Sequence, residues 1–406
     1  MNVEDQNVMA LVAVPDGDAS AAKKPLGYWA RTGQKYRVAS MALCLVLAVF
    51  LIVFTAFCSH VFGYSSLFYF TRDLGTVASL ADLGEQTLYY DYRDEDAAVS
   101  VYRGGVAVAH TEGLDIYDGR GERLLTHRAE TSLKAPRLAV SRNCLAVFDF
   151  GGTAFSVCNS YDVLFEGKTE NPIYAVFVSD VGYVCVVTGS ATALSEVLLY
   201  DANFQLVSRF SRASATVSAT VSNNGRTVAL VGATASGTVV DVYTIGKKEP
   251  LSETVLSGFP LAAGYTSTDK LAVLTDEAVF TLSAKGKLYD SVSLEGALPT
   301  AYSIDENGIA VALETDRLQG TARVLVLGKK GSVEADFLTD YQVRAISVSD
   351  RTVWLLGSDR AVCTARDGEE VLAMTDAAAD AMGIVALHDR AARVLYPAMA
   401  LTFVAE

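Results

Sequence analysis

The feature that most constrains this chain is a repeat. Seven residues that close apolar-aromatic runs, Tyr117, Cys158, Tyr200, Tyr243, Leu282, Val326 and Cys363, follow one another at spacings of 41, 42, 43, 39, 44 and 37 residues. Each run precedes a hairpin signal such as Asp118-Gly119-Arg120-Gly121, Asp201-Ala202-Asn203, Ala284-Lys285-Gly286 or Gly328-Lys329-Lys330-Gly331. A second signature alternates with it: Ser222-Asn223-Asn224-Gly225, Ser303 to Gly308, Ser141-Arg142-Asn143, Ser179 to Gly182 and Ser347 to Asp350 each precede a more apolar strand. Short runs rich in Val, Ala, Leu and Tyr, punctuated by Gly, Asn and Asp and almost free of Pro, are the grammar of β-strands.

A period near forty with four strand-like pieces per unit marks the blade of a β-propeller. Each blade exposes apolar faces that only its neighbours cover, so the array must close into a ring. The fold class is therefore all-β, a β-propeller of eight blades, with seven as the alternative, preceded by a single N-terminal transmembrane α-helix. The last unit, near Ala379 to Phe403, is one strand short. The strand Thr87 to Tyr92, TLYYDY, has no unit of its own, and it is expected to complete the final blade and fasten the ring.

Part of the chain's apolarity is local. Val38 to Cys58 reads VASMALCLVLAVFLIVFTAFC, 21 residues without a charge. As a helix rising ~1.5 Å per residue it matches the ~30 Å hydrocarbon core of a bilayer. Lys23, Lys24, Arg31, Lys35 and Arg37 precede it and the first basic residue after it is Arg72. By the positive-inside rule the N-terminus is cytoplasmic and the large remainder extracytoplasmic. A cleaved signal peptide is the competing reading, but its apolar region is usually ~7–15 residues and ends in small residues. The expected organisation is a cytoplasmic tail over 1–37, an anchor over 38–58, a linker over 59–83 and a propeller over 84–406. Of the net charge of −14, residues 1–37 hold five basic against four acidic side chains, which leaves −15 for the rest. With 51% hydrophobic and only 20% charged residues the chain is not disordered, and its acidic balance argues against nucleic acid.

The units "VSNNGRTVALVG" and "VLLYDANFQLVSRF", together with the short tail and single anchor helix, resemble a bacterial family of membrane-anchored extracytoplasmic β-propellers of unassigned function. The resemblance spans nearly the whole chain but rests on repeat grammar and topology. It implies location and fold, and no substrate.

Site motifs are sparse. His60, His110, His127 and His388 are isolated from one another, whereas zinc sites need clustered His or Cys. G-x-S-x-G, P-loop and H-E-x-x-H patterns are absent. The Asp91, Asp94, Glu95, Asp96 cluster lacks the turn glycine of a calcium loop. Ser347 to Trp354 holds part of a sialidase-type box, with Arg351 in the glycine's place, and is read as an ordinary blade turn. No catalytic, metal or cofactor residue is assigned. One covalent possibility is local: Cys144 and Cys158 flank the turn Gly151-Gly152. A pairing centred on Gly151 sets them opposite each other within disulfide range, and a displacement of one residue turns them to opposite faces of the sheet. Extracytoplasmic location permits the bond.

The expected function is a non-catalytic binding or scaffold role, with the bilayer engaged through residues 38–58 and an envelope protein or polymer as partner. A sensor reporting an outside ligand to the tail is the alternative, and a propeller hydrolase or lyase acting on an envelope glycan a further one.

Overall fold

The computed structural model describes residues 28–58, 86–92, 96–316 and 320–405, with the side chains of the N-terminal helix described at residues 35–50. The expected tail up to residue 27 and the expected linker over 59–83 lie outside the described residues. The chain divides into two units, at Gly63.

Among its described residues the first unit holds one helix, α1 (Tyr28–Cys58), which begins ten residues before the apolar run that predicted it. Where its side chains are described, the large apolar ones, Val38, Met41, Leu43, Leu45, Val46, Leu47, Val49 and Phe50, are each more than half exposed. Among the described residues, no helix is long and apolar enough to cross a membrane.

The described residues of the second unit form eight four-stranded antiparallel sheets. After β1 (Thr87–Tyr89), blade 1 runs β2 (Ala98–Tyr102), β3 (Gly105–His110), β4 (Gly113–Tyr117) and β5 (Arg123–Arg128). Blade 2 is β6 (Pro136–Val140), β7 (Leu145–Asp149), β8 (Ala154–Cys158) and β9 (Val163–Lys168). Blade 3 is β10 (Ile173–Val178), β11 (Val184–Thr188), β12 (Ser195–Tyr200) and β13 (Leu206–Arg212). Blade 4 is β14 (Ala215–Val221), β15 (Thr227–Thr234), β16 (Gly237–Thr244) and β17 (Pro250–Leu256). Blade 5 is β18 (Pro260–Ser267), β19 (Lys270–Thr275), β20 (Ala278–Ser283) and β21 (Leu288–Ser293). Blade 6 is β22 (Leu298–Asp305), β23 (Gly308–Asp316), β24 (Thr321–Leu327) and β25 (Val333–Thr339). Blade 7 is β26 (Ala345–Val348), β27 (Thr352–Leu356), β28 (Arg360–Ala365) and β29 (Val371–Asp376). Blade 8 is β30 (Gly383–His388), β31 (Ala391–Leu395) and β32 (Met399–Val404), with β1 as its outer strand.

Eight blades are thus present, not seven. The early strand closes the ring as expected, though only Thr87–Tyr89 pairs with β32, three residues fewer than the sequence suggested. The closing strand gains most from one side chain: Leu88 is 1% exposed and packs with Tyr90, Val106, Val108, Tyr117, Leu395 and Ala400 between blades 8 and 1.

The core is not one mass but eight clusters, one at each seam between successive blades. Ala229 and Val231 pack toward blade 5 while Val228 and Leu230 of the same strand pack toward blade 3. That is the two-residue period of a strand buried on both faces. The blade 7–8 seam buries Trp354 edge-on to Phe403, ring centroids 5.3 Å apart.

Two turn devices recur. Ser141, Ser179, Ser222 and Ser349 each turn the hydroxyl back on the hairpin between the first two strands, donating to a carbonyl and accepting a backbone N–H. In blades 1–7 the third strand ends in a β-bulge just before its hairpin, at Tyr117, Cys158, Tyr200, Tyr243, Leu282, Leu327 and Thr364. Five of the seven repeat markers fall on the bulge. Val326 and Cys363 lie one residue short of it, because the sequence pattern marks an apolar residue while the bulge is defined by register.

Candidate functional site

In an antiparallel meander the turns alternate between the two ends of a blade. The turns joining first to second and third to fourth strands lie at one end of the ring, here called lower. The turns joining second to third strands, and the connections between blades, lie at the other, upper end. The half-exposed inner strands line a central channel between them.

At the lower end, Arg142 of blade 2 and Glu306 of blade 6 form an ion pair. These blades stand four apart in a ring of eight, so the pair crosses the channel mouth. Arg142 is set by its neighbours: its backbone N–H donates to the Asp180 carboxylate at 2.7 Å, and the Asn143 amide donates to the Asp180 carbonyl at 2.6 Å. Beside Glu306, burial pushes Asp305 up to about 6 and Glu306 adds to the shift. Hydrogen bonds from Asn307 and Ser303 and the nearby Arg366 oppose it.

The upper end exposes large apolar side chains. Phe150, Tyr174, Leu194, Phe259, Leu298 and Met382, contributed by turns and strand ends of different blades, are 44–66% exposed. Phe150 and Tyr174 touch, with centroids 6.3 Å apart. Three basic side chains at this end are held by neighbouring carboxylates: Lys168 on Glu130 at 2.9 Å, Arg360 on Asp359 at 3.1 Å, and Arg128 on Glu112. A cavity of about 410 Å³ opens between blades 6 and 7, lined by Thr300, Glu314, Thr321, Ala322, Gln342, Val343 and Arg344. Arg344 is already engaged with the carbonyls of Ala379 and Ala381.

The buried titratable groups serve the blades and seams. His110 accepts the Glu112 N–H at Nδ1, so its proton sits on Nε2 and faces the Asp115 carboxylate at 3.5 Å. Burial works against ionising Asp115, but hydrogen bonds from His110 and Thr126 and the nearby Arg123 outweigh it and bring its pKa down to about 2. His127 places Nε2 on both the Ser156 hydroxyl (3.0 Å) and the Glu166 carboxylate (3.6 Å) across the blade 1–2 seam. A hydrolase relay needs serine and carboxylate on different ring nitrogens, so these three groups are not one. Burial lowers the pKa of this imidazole, against the pull of Glu166. Arg212 bonds Asp241 and Thr216 between blades 3 and 4. The fully buried Arg393 reaches the Gly104 carbonyl across the closing seam at 2.7 Å, while its Nε and Nη1 have no hydrogen-bond partner.

Cys144 and Cys158 come near each other without facing. The turn between β7 and β8 spans an even number of residues, so Leu145, not Cys144, stands opposite Cys158. Cys144 packs into the blade 2–3 seam and Cys158 into the blade 1–2 seam, both as free thiols. Burial raises both thiols, pushes Cys185 up to about 12 and Cys363 up to about 11. Such thiols are protonated and poor nucleophiles. Among the described residues no three His, Cys, Asp or Glu side chains converge as metal ligands.

Sequence reasoning did not single out Arg393, an arginine within an apolar strand, nor the distribution of lysines among the hairpins, which the repeat register carried in GKK (246–248), AKGK (284–287) and GKKG (328–331).

A closed ring of eight four-stranded sheets with its buried polar groups spent between blades defines an eight-bladed β-propeller. Solved propellers share the architecture. BamB from Moraxella catarrhalis is 11% identical, with 79% of this chain covering 98% of that one at a TM-score of 0.54. The computationally designed Ika8 protein is 14% identical, with 79% covering 100% at 0.61. Sqt1 from Saccharomyces cerevisiae is 10% identical, with 79% covering 99% at 0.57. At these identities the likeness is one of fold. Residues 86–375 match a family of unknown function, DUF5711, and the chain belongs to that family. The sequence matches no curated protein.

Proposed function

We propose that the chain is a membrane-anchored extracytoplasmic scaffold that presents the upper end of its ring to an envelope protein. The observation that carries the reading is the set of six exposed apolar side chains at one end of the ring, Phe150, Tyr174, Leu194, Phe259, Leu298 and Met382. Large exposed apolar surface rimmed by polar groups is what protein interfaces use, with aromatic anchors supplying most of the energy. Anchoring is supported by the charge-free run Val38 to Cys58, by the exposed apolar side chains of α1, and by the basic residues that precede them.

The test is photo-crosslinking in intact membranes with a crosslinker in place of Leu194 or Phe259, against the same group in place of Asn203 at the lower end. A reproducible protein adduct from the upper positions and none from Asn203 supports the scaffold. No adduct at all, with turnover of an envelope glycan by the same protein, overturns it. Protease added to spheroplasts should remove the propeller, and protection of the chain beyond residue 63 overturns the topology.

A further inference from the structure

We propose that the lower end of blades 4–6 is a lysine platform that lies on an anionic bilayer surface, an inference that rests on the membrane-anchored reading above. From Thr87 onward the chain has nine lysines, and seven of them, Lys247, Lys248, Lys270, Lys285, Lys287, Lys329 and Lys330, fall at this one end of three consecutive blades. All but Lys270 are exposed, and the ammonium of Lys270 rests 3.4 Å from the centre of the Tyr289 ring. Among the described residues, Lys329 alone of the seven has a carboxylate partner, Asp350 at 3.3 Å. Glu249 and Asp269, with Asp305 and Glu306 at the first turn of blade 6, are the acidic residues at this end, so against seven lysines a chain of net charge −14 carries a locally positive sector here.

The platform is fixed in place. The Ser252 and Thr254 hydroxyls of blade 4 donate to the Lys285 and Gly286 carbonyls of blade 5, at 2.6 and 2.7 Å. Thr266 of blade 5 donates to the Lys329 carbonyl of blade 6 at 2.8 Å. Gly286 and Gly331 have φ of +81° and +87°, and a Cβ there would collide with Ser252 and Thr281 of the preceding blade. Glycine therefore lets each hairpin nest against its neighbour with lysines on either side.

Two observations favour a lipid surface over a soluble acidic partner. Each hairpin is followed at once by exposed apolar side chains on its outer strand: Leu251, then Leu288 and Tyr289, then Val333. Basic heads beside apolar side chains are the composition that settles at a headgroup boundary, and clustered lysines are attracted to anionic leaflets. The chain also enters the ring at this end, because β1 runs upward from Gln86, whose carbonyl accepts the Thr402 N–H.

The experiment uses the full chain reconstituted into phosphatidylcholine bilayers with and without phosphatidylglycerol, read by hydrogen exchange of the three hairpins. Protection at residues 245–249, 283–287 and 328–332 should rise at least about tenfold with the anionic lipid and fall with added salt. The variant Lys247→Glu/Lys285→Glu/Lys287→Glu/Lys330→Glu should lose the rise, and the same four positions as Arg should keep it. Equal protection in both bilayers overturns the platform, as does protection by soluble polyphosphate without any by anionic lipid. If the chain fails to insert, the anchor reading fails by itself. The platform is then judged by salt-sensitive flotation of that chain with phosphatidylglycerol vesicles, and no flotation overturns it.

Discussion

The two ends of the ring are built from one repeat, yet their chemistry differs. At the upper end, basic groups such as Lys168, Arg128 and Arg360 are held by carboxylates and large apolar side chains stand exposed. At the lower end of blades 4–6, six of the seven lysines have no carboxylate partner among the described residues, and their hairpins are locked to one another. Two hairpins at the lower end differ in the same way. In blade 3 the Asp201 carboxylate closes its own turn by accepting the Asn203 and Gln205 N–H groups. In blade 6 the equivalent turn is Gly328-Lys329-Lys330-Gly331-Ser332, behind the same bulge. Seams constrain strands because each buried side chain meets the next blade, whereas turn side chains facing solvent are free to diverge. Recognition is therefore to be sought in the turns.

The largest expected effect removes both ends at once. Leu88→Asp puts a charge into the closing seam, where losing even the leucine alone costs ~2–5 kcal/mol and the buried carboxylate adds to it. Blades 8 and 1 should open together in hydrogen exchange, and the unfolding temperature should fall sharply. Tyr89→Asp, one residue on and 71% exposed, should shift stability by no more than ~0.5 kcal/mol. Equal behaviour of the two variants would show that β1 does not close the ring.

A smaller effect separates the lower mouth from the blades. The folded pKa of Asp305, about 6, lies above its ordinary 3.8, so the fold binds this proton more tightly than the unfolded chain does. Stability should therefore fall as pH rises from about 4 to about 6, by on the order of 2 kcal/mol after allowance for its partial exposure, and level off above. Asp305→Asn keeps an acceptor for the Asn307 N–H, so denaturation followed against pH should lose that slope and show a gain at neutral pH. A slope unchanged by the substitution would assign it elsewhere. Asp115 contributes with the opposite sign: its pKa of about 2 lies below the ordinary 3.8, so its stabilisation is present above about 4 and lost as pH falls toward 2.

The smallest effect concerns the pair across the channel. Arg142→Met should cost less than ~1 kcal/mol, because both partners are solvent-exposed. Thermal unfolding at low and high salt should show even that difference vanish when the charges are screened. A larger, salt-independent loss would mean that the mouth is held by packing.

Much of the fold was legible in the residues. The near-forty period, the Ser-led first turn and the orphan strand at Thr87 gave the propeller and its closure, because strand alternation and turn chemistry are local properties of the chain. Whether blades numbered seven or eight was settled only by pairing, since the final blade borrows β1 from the other end of the sequence. Cys144 and Cys158 show the same limit on a smaller scale. Their proximity followed from the hairpin, but the face each one takes depended on a register of one residue. The lysine residues of the platform were visible in the sequence, but their convergence was not.

By itself, the sequence determined the strands, the turns and the presence of an apolar run before them, since each needs only neighbouring residues to express it. Tertiary structure decided what meets what: Arg142 against Glu306 across four blades, Arg393 against Gly104 across the closure, and seven lysines at one end of three blades. The physical reason is that ring closure fixes the azimuth of every turn, and no single repeat carries that information.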